Sequence, residues 1–107
     1  MLLGGGYADF SRADKDWLPE LREQGMTIIT EFEQMDGLTR LPAMGLFAPV
    51  GLPHAIDDQP RLASMTTTAL RLLEQQQREQ QKPFALMIEG SQIDWCGHAN
   101  DIACAIH

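Results

Sequence analysis

Phe84-Ala85-Leu86-Met87-Ile88-Glu89-Gly90-Ser91-Gln92-Ile93-Asp94-Trp95-Cys96-Gly97-His98-Ala99-Asn100-Asp101 is the stretch on which the fold turns. The apolar run Phe84 to Ile88 reads as a buried strand that ends at the carboxylate of Glu89. Open α/β sheets collect their ligands at the carboxyl ends of strands. Asp94 and His98 are four residues apart, so a helix from about Asp94 onward sets both side chains on one face, where they can converge on one ion. Carboxylate oxygen with imidazole nitrogen suits zinc. The metal reading therefore rests on Glu89 at the mouth of a hidden strand and on Asp94 and His98 one turn apart beyond it.

Working upstream, strand and helix signals alternate, which favours a sheet covered by helices over a bundle or a sandwich of sheets. Met1 to Leu3 running into Gly4-Gly5-Gly6 predicts a strand end and a tight loop. Asp16 is placed to cap a helix that admits Pro19 in its first turn and ends at Gly25. Met26 to Thr30 reads as a strand, Glu31 to Met35 as a short helical turn closed by Asp36-Gly37, and Ala43 to Phe47 as a strand following Pro42. Residues 48 to 59 read as loop. A long helix is expected from near Pro60, capped by Asp58 or Gln59, with Leu62, Met65, Thr66, Ala69, Leu70 and Leu73 as its core face. Its Gln-rich tail, Glu74 to Lys82, reads as a solvated end stopped by Pro83. A last helix is expected from about Gly97.

The residues 88 to 101, IEGSQIDWCGHAND, resemble the metal-binding segment of alkaline phosphatases, particularly bacterial ones. Gly4-Gly5-Gly6, Gly45-Leu46-Phe47 and Pro60-x-Leu62-Ala63-x-Met65-Thr66 with Ala69 and Leu70 look like landmarks of the same family in the same order. The resemblance implies that Glu89 binds magnesium and that Asp94 and His98 bind one of two zincs. It also implies hydrolysis of phosphate monoesters through a phosphoserine, in a fold that is an α/β/α sandwich with a mostly parallel sheet flanked by helices. The family's nucleophilic serine, phosphate-clamping arginine and remaining ligands belong to segments not found here. Residues 1–107 are thus expected to be one partial α/β domain from the interior of a larger one, with no catalytic nucleophile of its own and no activity in isolation. A sulfatase, phosphodiesterase or mutase relative shares that fold, and a noncatalytic metal-binding or interaction module is the reading from another class.

Composition narrows the partners. A formal charge of −7 with eight scattered Lys and Arg argues against a nucleic-acid backbone as ligand. No apolar run is long enough to span a membrane, and Met1-Leu2-Leu3-Gly4 lacks the basic region and apolar core of a signal peptide. A periplasmic or secreted location, and a homodimer as one state of the full-length enzyme, come from the resemblance alone. Cys96 and Cys104, eight residues apart, would lie about 12 Å apart along a continuous helix, so both are expected to be free thiols. Cys96 should point away from the Asp94 and His98 face. His54 reads as a solvated loop histidine, Asp101 as a helix-dipole partner, and His107 as a residue without a metal role.

Overall fold

The computed structural model describes residues 1–59 and 61–106. Strands β1 (Leu2–Gly4), β2 (Thr27–Ile29) and β3 (Ala43–Leu46) form a parallel sheet in the order β1-β3-β2. Leu3 and Ile29 both stand opposite Gly45. Helices α1 (Tyr7–Phe10), α2 (Leu18–Glu23), α3 (Arg61–Gln80), α4 (Ser91–His98) and α5 (Ile102–Ile106) accompany the sheet, and a 3₁₀ turn spans Phe32–Gly37. The fold is α/β.

The period of two along a strand divides the core between the two faces of the sheet. On β3, whose residues are all buried, Ala43 joins Met35, Leu38, Met65 and Leu72, the side covered by the 3₁₀ turn and α3. Met44 and Leu46 join Leu18 on the opposite side, with Tyr7, Phe10 and Leu21 of α1 and α2 packed around them. Ile28 and Ile29 part in the same way. Helices therefore cover both faces.

Local chemistry accounts for most of the boundaries. The Leu18 N–H donates to Asp16 Oδ1 at 3.1 Å, and Pro19 sits in the first turn of α2. The helix closes where Gly25 takes φ of 90°, so that Gly25 N–H reaches Arg22 O and Met26 N–H reaches Leu21 O. That left-handed residue is cheap only for glycine. The 3₁₀ turn carries a reciprocal capping box between Glu31 and Gln34. Helix α3 ends at Gln80, followed by Gln81 in a left-handed conformation two residues before Pro83. The expected start at Pro60 lies outside the described residues.

Two expectations about packing fail. Phe84 to Ile88 is neither strand nor buried: Met87 is 87% exposed and Ile88 51%. A strand exists through its neighbour's hydrogen bonds, and β1 and β2 pair only with β3 among the described residues, so the run has the composition of an interior strand but no partner. The core face of α3 is also rotated from the expected one. Met65 and Ala69 are buried as expected, but Thr68 and Leu72 complete the buried stripe, while Leu62 and Leu70 are exposed. Apolar residues cover more than one stripe of this helix, and the sheet takes the stripe centred on Leu72.

Candidate metal centre

Helix α4 begins earlier than its sequence suggests, at Ser91 rather than near Gly97, and its two faces do different things. One face sits on the loop that leaves the carboxyl end of β3. Gln92 Nε2 donates to Leu52 O at 2.6 Å, and Cys96 Sγ lies 3.2 Å from His54 Nδ1. Between them, the Trp95 ring covers Gly51 so closely that a Cβ there would stand 2.5 Å from the indole. Glycine at 51 is what allows this approach. The same loop is tied to the carboxyl end of β1, with Tyr7 N–H on Ala48 O and Ala8 N–H on Pro49 O at 3.0 and 2.9 Å. Thus α4 is held at the carboxyl edge of the sheet even though the run before it forms no strand.

The opposite face carries Asp94 and His98, both largely exposed. Asp94 Oδ2 and His98 Nε2 are 3.6 Å apart, as the one-turn spacing requires. An ion held about 2.1 Å from each donor would see them at roughly 120°, close to a tetrahedral angle, so the pair fits zinc. Glu89 is exposed, one residue before the helix cap at Gly90, and its carboxylate does not gather with Asp94 and His98 into a three-donor cluster.

Beyond α4 the chain reverses. Asn100 adopts φ of 54°, and Asp101 N–H returns to Cys96 O at 2.9 Å. Asp101 Oδ1 then accepts the Cys104 N–H at 3.0 Å and starts α5. This turn brings the α-carbons of Cys96 and Cys104 to 5.6 Å and joins their sulfurs as a disulfide. The expectation of two free thiols fails because it assumed one continuous helix. Cys96 does point away from Asp94 and His98, and it is 1% exposed. His54, expected to be merely solvated, instead stands against both sulfurs, with Nδ1 2.7 Å from Cys104 Sγ. Only the Asn100-Asp101 break was readable from sequence; the approach of His54 joins residues 42 and 50 positions apart.

Along its whole length, residues 1–107, the chain matches the family model described as alkaline phosphatase. The chain belongs to the alkaline phosphatase family. This is a family of metal-dependent phosphomonoesterase hydrolases. Alkaline phosphatase 3 of Bacillus subtilis (strain 168) is 40% identical over 99% of this chain and 23% of its own length. The cold-active alkaline phosphatase of a psychrophilic Shewanella superposes with a TM-score of 0.85 at 43% identity, covering 97% of this chain and 25% of that one. A variant alkaline phosphatase of the Antarctic bacterium TAB5, solved with magnesium bound, gives 0.77 at 32% identity, with 97% and 30% covered. This chain thus spans about a quarter of the length of such relatives. The kinship stands although Phe84 to Ile88 forms no strand.

Proposed function

We propose that this chain is the part of an alkaline phosphatase that supplies Asp94 and His98 to a zinc and Glu89 to a magnesium, in an enzyme that hydrolyses phosphate monoesters. The observation that carries the reading is the exposed Asp94 and His98 pair, 3.6 Å apart on the outward face of a helix anchored at the carboxyl edge of a parallel sheet. When bound, zinc and magnesium stabilise negative charge on phosphoryl oxygens and make bound water a nucleophile near neutral pH. The chain's own part is positional. Gln92 and Trp95 fix α4 to the 51–54 loop, which sets the direction in which Asp94 and His98 offer their donors. Glu89, one residue before the cap, would hold the magnesium. Residues 1–107 form one interior piece of the larger domain, and location outside the cytoplasm follows from the family rather than from any feature of the piece.

Two protein donors leave a zinc exchangeable, since tight sites use three or four. The isolated chain is therefore expected to show no metal-dependent turnover of a chromogenic phosphate ester. Grafting residues 1–107 in place of the matching segment of Bacillus subtilis alkaline phosphatase 3 should preserve hydrolysis. In that graft, Asp94→Ala or His98→Ala should lower bound zinc and reduce activity by about a hundredfold or more. Full zinc content and activity in the double variant would reject the assignment, and robust turnover by the 107-residue chain would reject the need for further donors.

A further inference from the structure

On the buried side of α4, away from the proposed zinc ligands, three metal-ligating groups from separate parts of the chain converge. The donor atoms of His54, Cys96 and Cys104 all lie within 4.8 Å of one another. Cys96 and Cys104 are 1% and 8% exposed, and His54 is half-buried in the loop after β3. A disulfide between α4 and α5 accounts for two of these groups. The imidazole is surplus to it, yet Nδ1 faces both sulfurs, at 3.2 and 2.7 Å. Two sulfurs with one imidazole nitrogen are the donor set of a zinc-class cation, whose ligands stand roughly 3.5 Å apart around a tetrahedral ion. Small outward movements of the three side chains make that room.

We propose that His54 Nδ1, Cys96 Sγ and Cys104 Sγ form a second cation site, open to zinc once the cysteines are reduced. A dithiol reductant breaks the Cys96–Cys104 bond: two electrons and two protons pass to the sulfurs, and the reductant leaves as its own disulfide. The two thiols then release their protons as the cation binds. The site differs in kind from the Asp94 and His98 pair, because its donors are mainly sulfur and it sits on the opposite face of the helix. It would bind α4, α5 and the 51–54 loop to one point.

Cobalt(II), added to the chain under argon, distinguishes the two faces, because thiolate ligands give near-ultraviolet charge-transfer bands that carboxylate and imidazole ligands lack. The reduced chain should develop these bands together with the strong visible absorption of a tetrahedral ion, saturating at one cobalt per chain. The chain left oxidised should not. Cys104→Ser should abolish the charge-transfer band or weaken binding on the order of a hundredfold. His54→Ala should weaken binding and leave the sulfur bands, and far-ultraviolet circular dichroism should show unchanged helix content in both variants. The double variant Asp94→Asn, His98→Gln should bind as the parent does, which separates this site from the proposed phosphatase ligands. Absence of charge transfer in the fully reduced parent would overturn the proposal, as would a binding curve that ignores loss of Cys104 or loss of His54.

Discussion

Replacing Gly51 by alanine tests whether α4 is truly seated on the loop after β3. The new Cβ would stand 2.5 Å from Trp95 Cζ3, 2.9 Å from Cη2 and 3.1 Å from Gln92 Nε2. Carbon atoms rest at about 3.5 to 4.0 Å, so the indole must retreat by roughly 1 Å. Overpacking of this kind costs about 1–3 kcal/mol. Trp95 is 48% exposed and can swing toward solvent, which places the cost near the lower half, about 1–2 kcal/mol. For a chain of this size the melting temperature should fall by roughly 4–8 °C. Gly97→Ala is the matched control on the same helix: a Cβ there meets nothing within 4 Å. Relief of the glycine penalty, about 1 kcal/mol, should raise the midpoint by roughly 4 °C. Thermal unfolding of the three chains by far-ultraviolet circular dichroism measures both shifts. An unchanged or higher midpoint for Gly51→Ala would refute the docking of α4, and with it the physical basis for the direction of Asp94 and His98.

Leu72→Ala, which empties a site 2% exposed beneath α3, should cost about 3 kcal/mol in urea unfolding. Met87→Ser, at 87% exposure, should change stability by less than about 0.5 kcal/mol; a comparable loss at both sites would restore the buried strand. Reduction of the Cys96–Cys104 bond, which closes a loop with a sequence separation of 8, should remove about 2.5 kcal/mol, and zinc added to the reduced chain should return part of it. Zinc with no effect on the reduced midpoint would count against the thiol site.

What the sequence made readable was whatever a few neighbouring residues decide. Asp16, Pro19 and Gly25 bound α2 through its own backbone groups, and the short turn read from Glu31 to Met35 needs nothing beyond its own residues. Asp94 and His98 came together because the helical repeat alone puts them there. Features requiring a distant partner were missed or misread. Phe84 to Ile88 is apolar enough for an interior strand, but pairing is a property of two segments, and composition cannot supply the second. The α3 stripe was legible at Met65 and Ala69 and misjudged at its margins, because Leu62 and Leu70 are as apolar as Leu72 and only the position of the sheet chooses between them. The cysteine separation misled through the assumption of an unbroken helix, although Asn100 readily adopts the left-handed conformation that ends one. His54 gave no local signal at all.

The central place of β3 has a consequence for growth of the sheet. Both of its flanks are occupied, by β1 on one side and β2 on the other, so any additional strand must attach along the outer margins of those two. Each strand gained at either margin would push that edge farther away while leaving the 47–59 loop, and the helix resting on it, near the middle of a widening platform. Chemistry anchored above β3 would then be within reach of residues arriving from left and right alike.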